Sequence, residues 1–302
     1  MIYRSLLAYL FLTSSLTLCA EQLDTFQLPW MWETEEEAQD LFHECIVSTS
    51  YTKPSQVEHS VWDTLAPYLL PENHPIKEKL DKLFSSRITE SVETITAAGF
   101  LRPNPGRFSH TIVSKHPQLK GYYLKFFVDT QTDIVDWVAL HKRLVGAQLT
   151  RESIERHGYQ IYFKVPQKWI YPLPENPAPA PSNNPKRFIL IAEDMNILTR
   201  SQNHKQWASA AILSPKRLKA YYTIMQEVGL NDSNHVFNVP FCRDGKQTFL
   251  DTERYHRWPI NFSNLNRYIA KSLRPYWQEL ISSDGKGNKT KKTKKGKPIK
   301  WL

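Results

Sequence analysis

The chain has 302 residues, 41% of them hydrophobic and 12% aromatic, enough apolar side chain for one large domain or two small ones. Its net charge is +9, but Asp284 to Leu302 holds eight lysines against one acid, a local +7 that leaves only +2 for residues 1–283. The basic character therefore belongs to a tail, which argues against a folded body built as a nucleic-acid-binding surface. No His-Glu-x-x-His, Cys-x-x-Cys or Gly-x-Ser-x-Gly run is present, so neither a zinc site nor a serine-hydrolase elbow finds support.

In chain order, Arg4, the uncharged apolar run Leu6 to Leu18 and the small residue Ala20 before Glu21 predict a signal peptide over 1–20. The apolar run is short for a membrane span, and no other segment of the sequence reads as one. The expected destination is export: periplasm, cell surface or medium, with delivery into a host cell among the outcomes. Cys19 would be the lipid-bearing residue of a lipoprotein, although Leu18 before it is larger than that motif favours. Removal of residues 1–20 leaves Cys45 and Cys242, and their spacing does not decide whether they pair.

Residues 21–98 read as a helical extension. Thr34 with Glu37 three residues on forms a capping box for a helix to about Ile46. Val57 to Leu70 has apolar residues at near-helical spacing, interrupted by Pro67 and closed by Pro71. Ile76 to Phe84 and Ile88 to Ala97 continue the pattern. The period then changes. Arg107 to Val113 and Gly121 to Val128 are β-branched and aromatic, joined by a turn segment containing Pro117, and predict a hairpin.

Asp133 to Gly158 predicts one helix kinked near Gly146, or two. Tyr159 to Pro166 and Phe188 to Ala192 predict strands on either side of a proline-rich loop over 172–185. Pro215 to Val228 predicts a helix entered through Ser214 and Pro215. Asn264 to Ile281 predicts the last helix. Between these two helices lies Asn238-Val-Pro-Phe-Cys-Arg-Asp-Gly-Lys-Gln-Thr-Phe-Leu-Asp251. It has the form of a hairpin around an Asp-Gly turn, with an amide at one end and a carboxylate at the other. Both are oxygen ligands of the kind magnesium takes.

The Asn238–Asp251 hairpin resembles the metal-binding hairpin of protein kinases and aminoglycoside-phosphotransferase-like kinases. The resemblance covers about residues 99–283. It implies an α+β, kinase-like two-lobed fold, with a small mixed lobe and a short, mainly helical lobe behind the helical extension. It also implies ATP and Mg2+ as cofactors, with Asn238 and Asp251 on the metal. Lys125, inside an apolar strand, would contact the phosphates, with Glu152, or else Glu155, as its helix partner. Glu193, with Asp194 and Met195, would form the adenine-binding hinge. Asp232 would orient the acceptor hydroxyl, although the family places its aspartate where Ser233 stands. His235 precedes Asn238 by three residues, as in small-molecule kinases. Gly106 lacks the companion glycines of a phosphate-cradling loop. Two readings stay open: a divergent phosphotransferase, and an inactive relative serving as a secreted binding or scaffold module. The tail from Lys286 to Lys300 is expected to be without regular structure and suits an anionic partner.

Overall fold

The computed structural model describes residues 51–105, 110–178, 186–284, 290–292 and 298–300, all within one compact unit. The expectations on the leader over 1–20, on Cys19, on the Thr34–Glu37 capping box, on Cys45 and on Gly106 fall outside these residues. No helix among the described residues is long and apolar enough to cross a membrane. Cys242 is buried and free, and burial raises its thiol pKa to about 11.

The class is α+β. Three short helices lead in: α1 (His59–Leu65), α2 (Lys77–Leu83) and α3 (Val92–Ala97). Pro67 shortens α1 rather than kinking it: the helix ends at Leu65 and a separate 3-10 turn follows over Ala66–Tyr68. Ser91 caps α3 through a capping box with Thr94. A five-stranded sheet follows, composed of β1 (Leu101–Pro105), β2 (Ile112–Lys115), β3 (Tyr122–Phe126), β5 (Lys168–Pro172) and β6 (Phe188–Glu193). Its order is β1-β2-β3-β6-β5, and every neighbouring pair is antiparallel. Helix α4 (Asp136–Arg156) connects β3 to the next strands.

Both faces of this sheet are covered. On one, Leu124, Phe126, Ile189 and Ile191 pack with Leu80, Phe84 and Ile95 of the leading helices. On the other, Phe127, Phe188 and Leu190 pack with Leu140 and Leu144 of α4 and with Leu65. The leading helices thus share the core of the sheet that follows them. A buried pair fastens them to it: Arg87 donates to both oxygens of Asp129, at 2.9 and 2.7 Å.

The remaining elements are β4 (Phe163–Lys164), α5 (Arg200–Trp207), α6 (Pro215–Val228), β7 (Gln247–Thr248) and α7 (Arg274–Ser282). A further apolar cluster gathers α6 and α7 around Trp207, Tyr221, Phe249 and Trp277. Ser214 caps α6, Pro215 opens it, and Gly229 ends it in the left-handed conformation at φ 69°.

Several expectations change. The strand expected over Tyr159–Pro166 shrinks to Phe163–Lys164, because a hydrogen-bonded turn from Tyr159 O to the Tyr162 and Phe163 amides occupies its first half. The helix expected over Asn264–Ile281 divides into 3-10 turns at Phe262–Leu265 and Lys271–Leu273, with α7 starting only at Arg274 before Pro275. In the tail, expected to lack regular structure, Thr290–Lys292 and Pro298–Lys300 pair as short antiparallel strands, a backbone ladder that side-chain charge does not forbid.

Helix α4 is continuous for 21 residues, with no break at Gly146. Gly146 has a different role. A Cβ there would lie 1.8 Å from the Thr252 carbonyl oxygen, so only glycine lets the chain around Thr252 lie against α4. We expect Gly146→Ala to cost about 1–3 kcal/mol of stability as an overpacking change. Urea unfolding of the variant beside wild type measures it, and an unchanged midpoint would contradict the contact.

Candidate functional site

The segment from Asn238 to Asp251 folds back on itself as the sequence predicts, through three backbone hydrogen bonds. Leu250 N–H donates to Asn238 O at 2.9 Å, Thr248 N–H to Pro240 O at 2.9 Å, and Cys242 N–H to Lys246 O at 2.7 Å. Gly245 supplies the positive φ of 78° at the turn. The second arm also carries β7, which pairs in parallel with β4. Asn238 therefore stands across from Leu250, one residue from Asp251.

The loop before Asn238 is closed by its own side chains. Asn238 Nδ2 donates to the backbone oxygen of Asp232 at 2.7 Å, which leaves the amide oxygen without a donor among the described residues. Ser233 is buried, and its hydroxyl donates to the backbone oxygen of Asp251 at 3.0 Å. Ser233 is thus a strut between loop and hairpin. The neighbouring carboxylate is Asp232, with a buried Oδ1 that has no hydrogen-bond partner. Burial, then the nearby Asp251 charge, raises the Asp232 pKa to about 6. His235 is held as a structural ring beside Phe237 and Tyr268.

Lys125 lies in β3, a central strand, opposite Val113 on β2 and Leu190 on β6. An edge-strand lysine pointing along free backbone is thereby excluded. Its ammonium forms no hydrogen bond or ion pair with the described residues, yet it lies in the field of Asp251, Glu253 and Asp232. Burial lowers its pKa, Arg143 adds to that, and the three carboxylates oppose it. For Asp251 the balance runs the other way. Burial would raise it, but Lys125, Arg143 and Lys168 hold it below the ordinary aspartate value. One Asp251 oxygen, Oδ1, is buried without a hydrogen-bond partner.

The structure thus brings Lys125, Asp232, Asn238 and Asp251 to one place and leaves three sequence candidates out. Glu152 and Glu155 are exposed on α4, and Glu152 bonds Gln148 at 3.0 Å rather than Lys125. The expected Lys125–Glu152 pair is therefore absent. The inward face of α4 is instead Asp136, Leu140, Arg143, Ala147, Thr150 and Ile154, a spacing of three and four that Glu152 and Glu155 miss. Glu193 ends β6 three residues along the ladder from Lys125's partner Leu190, about 10 Å at the strand rise. Its carboxylate accepts from Gln167 N–H at 2.9 Å. The following residue, Asp194, pairs with Lys115 at 2.5 Å. Together they border a cavity of about 390 Å³ with Lys120 and Tyr122.

Three further residues of the site lay outside the sequence reading. Arg143 takes the place on α4 where an acid is expected. It donates to Glu253 at 2.6 Å and to Thr111 Oγ1 at 3.0 Å, and its Nε stands 4.0 Å from Asp251 Oδ1. Lys168, buried at the start of β5, donates to Thr252 Oγ1 at 3.0 Å, and burial drives its pKa well below that of a free lysine. Thr252 is itself buried and donates to Arg143 O at 2.9 Å. Arg143 was open to discovery as the one basic residue on the apolar stripe of its helix.

No cluster of three or more His, Cys, Asp or Glu side chains suited to a metal occurs among the described residues. A divalent cation would rest on Asp251, Asn238 Oδ1 and ligands from outside the protein, the arrangement magnesium uses on nucleotide phosphates. Neither a family model nor a curated protein matches the chain.

The raised Asp232 pKa has a consequence for stability. An acid whose folded pKa lies above its unfolded value binds more protons when folded, so stability falls as pH rises between the two. For Asp232 that window runs from its unfolded value of about 4 to about 6. Asp232→Asn should remove that part of the decline. Urea unfolding of wild type and variant at the two ends of the window tests this; parallel pH dependences would contradict it.

Proposed function

We propose that the chain is a kinase-like protein that binds ATP with Mg2+ at the Lys125–Asp251 site and transfers phosphate to an acceptor hydroxyl. The observation that carries this is convergence. A lysine from a central strand lies in the field of a carboxylate at one end of the hairpin and of a second carboxylate from the loop before it, and the amide at the hairpin's other end bonds that loop at Asp232 O, although these residues are up to 126 apart in sequence. The sheet order β1-β2-β3-β6-β5, with α4 after β3, supports the same reading.

In this reading Lys125 would neutralise charge on the nucleotide phosphates, and Asp251 with Asn238 Oδ1 would hold the cation, which would supply further charge stabilisation during transfer. The Asp232 carboxylate, unpartnered at Oδ1, orients the acceptor hydroxyl and takes its proton. A pKa near 6 leaves it ionised at neutral pH while keeping it a stronger base than an ordinary aspartate. Ser233 positions the Asp251 backbone without touching the reacting atoms, and Asn238, through its Nδ2, also holds the backbone of Asp232.

The second reading, an inactive relative serving as an exported binding module, is favoured by Arg143. No acid on α4 pairs with Lys125, and the arginine in that place competes with a cation for Asp251. Export and capture of an anionic partner by the lysine-rich tail fit either reading.

Saturating ATP with Mg2+, at about one hundred times Kd, should add about 2.7 kcal/mol of stability, a rise of several degrees in Tm. Asp251→Ala should abolish the Mg2+-dependent part, and Lys125→Met should weaken nucleotide binding with or without the metal. A wild-type Tm unmoved by nucleotide would reject both the enzyme and the nucleotide site. A shift with no phosphate release or transfer would support the inactive relative.

A further inference from the structure

We propose that a second, basic cavity beside this site binds a small phosphate-class oxyanion. The cavity measures about 580 Å³ and lies between Lys142 of α4 and the segment after the hairpin, where Arg254, His256 and Arg257 line it together with Asn231. This is within the range of small-molecule sites, about 300–1,000 Å³.

Its charge is unbalanced. Lys142, Arg254 and Arg257 are exposed, and their side chains form no ion pair or hydrogen bond with the described residues. The one carboxylate on its wall, Glu253, is already engaged by Arg143 at 2.6 Å. The His256 imidazole, stacked on Trp258, adds a polar ring. Three permanent cations with no acid of their own repel one another, and an anion among them removes that repulsion. Two of the three are guanidinium groups, which present paired donors to the oxygens of phosphate.

The wall is also built rather than loose. Asn231 N–H donates to Arg254 O at 3.0 Å, His256 N–H to Val228 O at 2.9 Å and Arg257 N–H to Gly229 O at 3.0 Å. Trp258 Nε1 donates to Gln226 O at 2.6 Å. A Cβ at Gly229 would lie 2.8 Å from Arg257 N, so that glycine is what lets the segment lie so close. His256 is held at φ 51°, a left-handed conformation that sets Arg254 and Arg257 on either side of a bend. The backbone is thus fixed before any ligand arrives, and only the side-chain ends must be ordered. The limited volume of about 580 Å³ favours a small molecule over a polymer. Phosphate itself and a phosphomonoester share the chemistry, and the measurement separates them.

Calorimetry on the full chain, in buffer with EDTA and without nucleotide, should show saturable one-to-one binding of inorganic phosphate or of glycerol 3-phosphate. The tighter of the two identifies the source. The double variant Arg254→Ala, Arg257→Ala should raise Kd by about tenfold or more, the effect of losing charge-assisted hydrogen bonds. Lys142→Ala, on a different element, should weaken binding independently, so the test stands even if the double variant fails to fold. Lys125→Met should leave this binding unchanged, which separates the cavity from the nucleotide site. Absence of saturable binding, equal affinity in the Arg and Lys142 variants, or loss of binding in Lys125→Met would each overturn the proposal.

Discussion

The fold depends at its centre on how closely α4 approaches the chain at Asp251 to Glu253. Gly146 has no side chain, so the Thr252 carbonyl can lie where a Cβ would be. Thr252 then bonds the Arg143 backbone through its hydroxyl and receives Lys168. Arg143 extends from the same turn of α4 to Glu253. The sheet contributes Lys168, the helix Arg143, and the hairpin the carboxylates. This one contact ties all three together and leaves Asp251 within the electrostatic reach of Lys125. A bulkier residue at 146 pushes apart the groups that the site requires.

Electrostatics follow from that packing. Lys125, Lys168 and Arg143 surround Asp251, while Asp232 and Glu253 lie close by. Buried charges persist only when they are paired or hydrogen-bonded, because the cost of stripping water from each is several kcal/mol or more. Arg143 meets this condition with Glu253, Thr111 and a backbone oxygen. Lys125, half-buried in β3, has carboxylates near it but no direct bond. Asp232 Oδ1 and Asp251 Oδ1 are buried without hydrogen-bond partners, although Arg143 Nε stands 4.0 Å from the latter. Buried polar groups left unsatisfied are costly to folding. Their cost is offset if a ligand with its own charges, phosphate oxygens toward Lys125 and a cation toward Asp251, completes the set.

Local signals account for what the sequence made legible. Helix α6 carries its start in Ser214-Pro215 and its end in Gly229, and the structure places both there. Lys125, Asp232, Asn238 and Asp251 stand out because each is a polar residue whose position in an apolar or turn context demands a reason. The helix partner of Lys125 was not legible in the same way. Glu152 and Glu155 have the charge but not the phase, and phase on a helix is set by which residues the core claims. The core claims Leu140, Leu144 and Ala147, and with them Arg143. Strand β5 was hidden because it is buried on both faces, so Lys168 to Pro172 shows no alternation. Helix α5 was hidden by polarity, although Thr199 and Gln202 form a capping box that marks its start.

The most direct measurement of the central claim is a crystal structure of the full chain grown with Mn2+ and a non-hydrolysable ATP analogue. Manganese reports its position by anomalous scattering and takes the oxygen ligands of magnesium. The expected result is a manganese peak bound by Asp251 and Asn238 Oδ1, with the analogue's phosphates between that ion and Lys125. An analogue bound elsewhere, or crystals in which Lys125 and Asp251 close directly on each other with no nucleotide, would contradict it.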